Sequence, residues 1–592
     1  MGAWLGLLTG LGELVFLAAR KFIKHKFLFG SPDVIWMAPL ANAVLFLVAG
    51  LLVLGLKAMF PSRITWRTAF GAYLFLASLA LLLMYPPLSH LAAALLALGV
   101  AVQGGRMAGR ASRLIAAMAR RMTAPLLVLV VILGVVQHGW YAWTERRMLS
   151  ALPKSKEGAP NVLLIVLDTV RSLNLSLYGY PKETTPELTR WAARGVRFDR
   201  ALSTAPWTFP SHATMFTGRM PHELTASWMT PLSDQYPTLS ELLGRRGYAT
   251  AGFAANTLYC SRETGLSRGF SHWADYLISP GEFARSSALG RLLIDNPEYR
   301  QLTGNFQTPG RKSAEDVNGE MLEWLGDGKD RPFFVFLNYF DAHGPYLPPA
   351  PFDVKFGPAP ADRYRRFTER PRRGVPAPDI LREEEDAYDA SIAYLDHQLG
   401  QLFDELERRG QMENTLVVVV SDHGEEFGEH GLMGHGNSLY RPSLQVPLIF
   451  WRKNHIPAHR VVTQAVSVRD LAATIMGQVD GPADPAVPGR SLDRFWNGAA
   501  PIEGASSDTL VAEVAYTPRL PEWYPVSRGP MKSVVLGEFR YIQNGDGKPE
   551  LYDFEHDIME TNDLLKPTGQ HVMLNELRNL LTRVTGGPGG AR

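Results

Sequence analysis

The sequence predicts an α/β domain, a mostly parallel sheet sandwiched by helices, carried behind an α-helical transmembrane region. Three observations predict it. Long apolar runs crowd the first 150 residues, which hold 14 Lys and Arg against 3 acidic residues. Later runs at Val162–Leu167, Phe333–Phe340, Leu416–Val420 and Val446–Trp451 are apolar on both faces, as strands buried in a parallel sheet are. Between them, Tyr388, Ile392, Leu395, Leu399, Leu402 and Leu406 recur at helical spacing within Glu383–Arg409.

The membrane region comes first along the chain. Val34–Leu56, Trp66–Tyr85, Leu88–Val102 and Pro125–Trp143 are long enough, or nearly so, to cross a bilayer of about 30 Å. Ala3–Ala19 is a shorter fifth candidate that contains Glu13, so residues 1–149 hold four or five spans. Lys57, Arg63 and Arg67 fill one loop, and Arg106, Arg110, Arg113, Arg120 and Arg121 another. The loop Pro86–His90 holds no Lys or Arg. Basic loops stay inside, which puts everything after Trp143 on the outer side of an inner or plasma membrane. Arg20, Lys21, Lys24 and Lys26 violate that bias if the first segment spans. The expected partners are therefore membrane lipids, with no nucleic acid.

Residues 150–160, with Pro153, Gly158 and Pro160, read as a linker. The rest carries 46 Lys and Arg against 55 acidic residues, as a soluble domain would. Residues 161–500 form the expected catalytic domain. Residues 501–592 form a small antiparallel subdomain, with strands at Lys532–Leu536, Phe539–Gln543 and Glu550–Phe554. The one cysteine, Cys260, excludes an internal disulfide or a thiolate metal cluster.

Chemistry-bearing residues gather where the strands end, the edge at which sites form in such sheets. Asp168 follows the first strand, Asp341 and His343 the second, and Ser421, Asp422 and His423 the third. His430 and His435 come soon after. Carboxylates with imidazole make a mixed oxygen and nitrogen metal site, which suits Mn²⁺ or Zn²⁺ and admits Ca²⁺. In Thr208-Phe209-Pro210-Ser211-His212 the proline and serine mark a helix start, which places Thr208 at an N-terminus suited to an anion. A threonine there is a candidate nucleophile toward phosphorus or sulfur. Glu425, His430 and His435 read either as part of a second metal site or as a hydrogen-bonded substrate pocket. Glu425, Glu426 and Glu429 read as a solvated acidic turn, and Asn256 as a loop asparagine. The arginine-rich stretch Asp362–Asp379 reads as a solvated loop or as a basic overhang above the site.

From Pro160 to about Leu565 the chain resembles the sulfatase branch of the alkaline phosphatase superfamily. The resemblance rests on Pro160-Asn161-Val162-Leu163-Leu164-Ile165 leading to Asp168, on Tyr178-Gly179-Tyr180, Thr185-Pro186-Glu187-Leu188 and Gly195-Val196-Arg197-Phe198. It continues through the Thr208 segment, His343-Gly344-Pro345-Tyr346, Ser421-Asp422-His423-Gly424-Glu425 and Glu550-Leu551-Tyr552-Asp553. It implies a divalent metal held by Asp168, Thr208, Asp422 and His423, and it gives His343 and His435 the part of holding an ester or protonating its leaving group. Four positions depart from the sulfatase pattern, the first being Thr169, which follows Asp168 where the family carries a second aspartate as a metal ligand. Thr208 stands where sulfatases convert Cys or Ser to formylglycine, His212 replaces an arginine within the catalytic string, and Asp422-His423 replaces Asp-Asn. Threonine with Asp-His resembles the superfamily's membrane phosphotransferases. The expected activity is thus metal-dependent attack by Thr208 on a phosphodiester of a lipid or envelope glycan. The alternatives are a sulfatase, or a non-catalytic membrane scaffold on the same fold.

Overall fold

The computed structural model describes all residues except 25–26, 229, 305, 307–309, 327–329, 370–373, 481–485, 498–508, 567 and 587–592. They fall into two compact units. The first comprises Met1–Arg147 together with Tyr276–Arg311, and the second comprises Met148–Asp275 with Lys312–Arg592.

Among the described residues, five helices are long and apolar enough to cross a membrane: α1 (Gly2–Ala18, continued by a π turn to Ile23), α2 (Val34–Met59), α3 (Trp66–Leu83), α4 (His90–Ala108) and α5 (Ser112–Ser150). Apolar side chains give little drive for helices to meet inside lipid, so close backbone approach has to supply it. Gly2, Gly6 and Gly10 recur every four residues along α1 and supply it here. A Cβ on Gly6 would lie 2.5 Å from Ala43 Cα of α2, and one on Gly10 would lie 2.4 Å from Pro39 Cα. The 39 residues of α5 rise about 58 Å at ~1.5 Å each, well beyond the apolar run Pro125–Trp143. Tyr276–Arg311 interrupts the chain of the α/β domain, where the sequence reading leaves it. Its short helices Pro280–Arg285 and Ala288–Ile294 instead pack on α2 and α3.

The second unit is built on a nine-stranded sheet. Its strands are β1 (Asn161–Leu167), β2 (Val196–Leu202), β3 (Ala249–Ala254), β4 (His272–Ala274), β5 (Phe333–Tyr339), β6 (Thr415–Val420), β9 (Gln445–Trp451), β10 (Arg460–Val462) and β11 (Val466–Ser467). β7 (Glu426–Phe427) and β8 (Met433–Gly434) form a separate two-stranded hairpin. The order across the sheet is β10-β2-β9-β6-β1-β5-β3-β4, with β11 also on β2. β1 lies parallel between β5 and β6, with Leu164 level with Phe336 and Val418. β9 runs antiparallel to both neighbours. Its run apolar on both faces signalled burial, which is common to either direction.

Side chains alternate to the two faces of the sheet and make two cores. Val162, Leu164 and Val166 enter one, and Leu163, Ile165 and Leu167 the other. The helix Pro378–Arg408 buries Tyr388, Ile392, Leu395, Leu399, Leu402 and Leu406 in the second core, as their spacing predicts. A four-stranded antiparallel sheet closes the unit: β12 (Leu510–Val514), β13 (Met531–Leu536), β14 (Phe539–Gln543) and β15 (Pro549–Asp553). Three of its strands are legible in the sequence; β12 is not.

Candidate active site

β1 and β6 are parallel neighbours, so their carboxyl ends deliver Asp168 and Asp422 to the same edge. The helix Thr208–Thr217 begins at that edge, with Thr208 as its first residue and Pro210 in its first turn. Gly218 ends it at φ +68°, the left-handed closure that glycine tolerates.

Asp168, Asp422 and His423 are fully buried and each offers a ligand atom within 4.8 Å of the others. Asp422 Oδ1 accepts from the backbone N–H of Thr169 (3.1 Å) and of His423 (2.9 Å). Its Oδ2 is buried without a hydrogen-bond partner among the described residues and lies 3.4 Å from His423 Nε2. His423 Nδ1 donates to Gly424 O (2.9 Å), which leaves Nε2 as the lone-pair atom toward Asp422 and, at 3.4 Å, Thr208 Oγ1. Burial raises the Asp168 carboxyl. Burial and then the Asp168 charge raise Asp422. Burial, followed by His435, lowers His423. Two dehydrated carboxylates facing an imidazole lone pair need a cation between them, and the unpartnered Oδ2 is the atom it would satisfy. The donor set therefore fits a divalent metal held by Asp168, Asp422 and His423, with Thr208 alongside.

Two asparagines orient Asp168. Asn256 Nδ2 donates to Asp168 Oδ2 (2.9 Å) and lies 3.4 Å from Thr208 Oγ1, while Asn338 Nδ2 donates to the same Oδ2 (3.2 Å). Asn338 Oδ1 accepts from Asn256 N (2.9 Å), so the two amides hold each other. Asn256 is thus part of the site and not a spacer in a loop. Asn338 is absent from the sequence reading, although an asparagine inside the apolar run Phe333–Phe340 is a visible signal.

Three imidazoles stand together. The rings of His423 and His435 are 4.4 Å apart, and those of His435 and His343 are 5.0 Å apart. His435 Nδ1 donates to Glu425 Oε1 (3.0 Å), and His343 Nδ1 donates to Gly344 O (2.8 Å). His343 also stacks on Phe340. His343 and His435 are half-buried, whereas His212 is fully buried. His212 Nδ1 donates to Thr208 O (2.8 Å) and lies 3.6 Å from Asp422 Oδ2. Burial pushes it down to about 4. Its seclusion makes it a support for Thr208 and Asp422, whereas its place in the catalytic string predicts a catalytic residue.

The acidic turn is not solvated. Glu425 and Glu426 are buried. Glu429 pairs with the buried Arg171 (2.6 Å), which also donates to Glu425 O (3.0 Å) and so fixes the partner of His435. His430 is drawn elsewhere, with Nε2 on Glu560 O and its ring stacked on Tyr440. Of the two readings for Glu425, His430 and His435, the geometry matches the hydrogen-bonded pocket. Asp341 accepts from Ala314 N and caps a helix. Within the arginine-rich stretch, Arg365 and Arg366 pair with Asp362, and Arg366 also with Glu383. Phe367 comes next to the His343 turn, since a Cβ on Gly344 would lie 2.8 Å from its Cζ. Arg370, Arg372 and Arg373 lie outside the described residues.

The sulfatase family profile matches residues 160–481. The chain is 25% identical over 435 residues to an uncharacterized sulfatase, YidJ, of Escherichia coli, covering 69% of this chain and 83% of that protein. It is 23% identical over 456 residues to the choline-sulfatase of Rhizobium meliloti, covering 69% and 82%. Among solved structures, the phosphonate monoester hydrolase of Agrobacterium radiobacter superposes with a TM-score of 0.56 at 22% identity, covering 72% of this chain and 95% of that one.

Proposed function

The chain belongs to the sulfatase family and is an enzyme of the alkaline phosphatase superfamily; from that premise we propose that it is a membrane-anchored phosphoesterase or phosphotransferase whose nucleophile is Thr208. The observation that carries this reading is Thr208 Oγ1 set 3.4 Å from both His423 Nε2 and Asn256 Nδ2, at the first residue of a helix. Threonine is not a precursor of formylglycine. A sulfated threonine has no geminal hydroxyl to expel sulfate, whereas a phosphorylated one is released by attack of water or an acceptor alcohol at phosphorus. The fold shared with a phosphonate monoester hydrolase supports phosphorus as the centre attacked.

A divalent cation held by Asp168, Asp422 and His423 would neutralise the two carboxylates and acidify the adjacent hydroxyl. In the first half-reaction Thr208, its proton already lost to solvent, attacks as the alkoxide: the bond from Oγ1 to phosphorus forms and the bond from phosphorus to the leaving oxygen breaks. Thr208 leaves again as the alkoxide in the second half-reaction. The first-turn amides and the dipole of the Thr208–Thr217 helix stabilise the charge on the transferring group. Asn256 and Asn338 keep Asp168 in place through this step. The leaving oxygen takes a proton from His435, whose Nδ1 is anchored on Glu425 and whose Nε2 exchanges it, with His343 beside it. In the second half-reaction His435 recovers a proton from water or an acceptor hydroxyl as that oxygen attacks phosphorus and Thr208 leaves.

The substrate class proposed is an anionic phosphodiester of a lipid or envelope glycan. Lys57, Arg63, Arg67, Arg106 and Arg110 precede α5 in the sequence, and that basic-loop bias supports a catalytic domain outside the cell membrane. The likeness to sulfatases favours sulfate ester hydrolysis as the second reading. Turnover of an aryl phosphodiester and an aryl sulfate, before and after chelation and with Mn²⁺ or Zn²⁺ restored, separates the two. The phosphodiester should be preferred, and the activity should vanish on chelation and in Thr208→Ala. A preference for sulfate would overturn the phosphoester reading.

A further inference from the structure

The insert Tyr276–Arg311 is seated in the membrane unit by specific contacts. Ala288 and Leu289 of its Ala288–Ile294 helix pack with Ala80 and Met84 of the α3 end. Ala288 N donates to Glu13 Oε1 (3.1 Å), and Asn42 Nδ2 donates to Glu13 Oε2 (3.1 Å). Glu13, only 1% exposed, thus meets a helix N-terminus from inside the bundle.

Beside this seat lies a cavity of about 430 Å³, lined among others by Leu83, His90, Ala288, Arg291, Leu292 and Asp295. His90 is the first residue of α4. Arg291 donates to Met84 Sδ (3.1 Å), and no ion pair of its guanidinium occurs among the described residues. A thioether is a weak acceptor and leaves most of a guanidinium's donors unused. Among the described residues, the charges that act most on Arg291 are those of Glu13, Arg285, Asp295 and Arg20. Both oxygens of Glu13 are engaged, and Asp295 is held by Arg285 (2.9 Å) and Arg300 (3.2 Å). The cavity therefore keeps spare positive charge on one wall and apolar surface on the other.

A second observation points the same way. Arg20 belongs to the end of α1, and Lys21 and Lys24 follow it. Its reach to Arg291 brings this basic end beside the insert, a level that the basic-loop reading assigns to the outer side. Loop-charge bias disfavours cations there, so an anion held at that level of the bilayer accounts for them better than topology does.

We propose that this cavity binds the phosphate of an anionic phospholipid in the leaflet on the catalytic side. Arg291 pairs with the phosphate oxygens, His90 adds a hydrogen bond, and the glycerol end lies against Leu83 and Leu292. The proposal does not rest on the chemistry at Thr208. The test is native mass spectrometry of the full-length protein in detergent, with phosphatidylglycerol or phosphatidylcholine added. Phosphatidylglycerol should be retained preferentially. Arg291→Gln should lower its occupancy about fivefold, and His90→Gln should lower it less. Equal retention of the two lipids, or unchanged occupancy in Arg291→Gln, would overturn the proposal. Displacement of the lipid by inorganic phosphate at equal concentration would make this a free-anion site and overturn it too. If Arg291→Gln does not fold, Leu292→Trp fills the cavity while keeping the charge, and undiminished occupancy in that variant is equally fatal. Binding is read without turnover, so a failure of the phosphoester reading leaves this test intact.

Discussion

His423 Nε2 lies 3.4 Å from Thr208 Oγ1, across 215 residues of sequence. The contact follows from topology. β6 places His423 at the sheet edge, and the Thr208–Thr217 helix starts at the same edge. Because Gly424 O holds Nδ1, the ring can present only Nε2 to the hydroxyl and to Asp422. The hydroxyl, the carboxylates and the imidazole thereby share one dehydrated point.

Asn256 positions Asp168 and approaches Thr208 Oγ1 without being charged. Asn256→Ala should lower kcat/KM by about 10- to 100-fold, the usual effect of losing a partner of a metal ligand. Asn256→Asp, which adds a like charge 2.9 Å from Asp168 Oδ2, should cost more. Metal content and rate measured together check this. Wild-type rates in both variants would return Asn256 to a structural role.

His435 is assigned to protonate the leaving oxygen, so its loss should depend on the leaving group. His435→Ala should cost roughly 10²–10⁴ in rate for an alkyl phosphodiester, with much less effect on an ester that leaves readily as a phenolate. Metal content should be unchanged. Glu425→Gln should show the same pattern more weakly, since it acts through His435. A loss of metal in His435→Ala would instead make His435 a ligand.

His222, after the Thr208–Thr217 helix, and Glu513, on β12, form an ion pair with Nδ1 donating to Oε1 at 2.9 Å. The hydrogen bond to Glu513 holds His222 above its ordinary 6.5, against burial. A raised histidine stabilises the fold fully below its unfolded value and loses that contribution as pH rises through the folded value. His222→Gln should therefore destabilise by up to about 1 kcal/mol near pH 6, and by little at pH values well above the folded one. Thermal melts at the two pH values measure it, and a pH-independent difference would sink the assignment.

Much of this architecture was legible because burial leaves a pattern. β1, β5 and β6 are continuous apolar runs, and the residues that follow them, Asp168, Asp422 and His423, could be read as an edge cluster. The direction of β9 was not legible, since a strand buried on both faces looks the same either way. β12 was missed for a different reason: a long proline-rich loop separates it from β13, so no tight hairpin turn ties the two together. Glu425 and Glu429 looked solvated because Arg171, which holds the Glu425 carbonyl and the Glu429 carboxylate, lies more than 250 residues away, and Glu426 because its partner Ser438 comes from a later loop. The insert Tyr276–Arg311 is polar enough to pass for a domain loop, and only its packing on α2 and α3 reveals where it belongs.

The central claim is that Thr208 forms the covalent bond to phosphorus. The direct measurement is acid quenching of the enzyme during turnover of a phosphodiester, followed by mass spectrometry of the peptide that contains Thr208. The account predicts a phosphoryl adduct on Thr208 that accumulates in His435→Ala with an aryl phosphodiester, whose phenolate leaves without a proton while release still needs a base, and that is absent from Thr208→Ala. Turnover in Thr208→Ala above a few per cent of wild type, or an adduct on another residue, would contradict it.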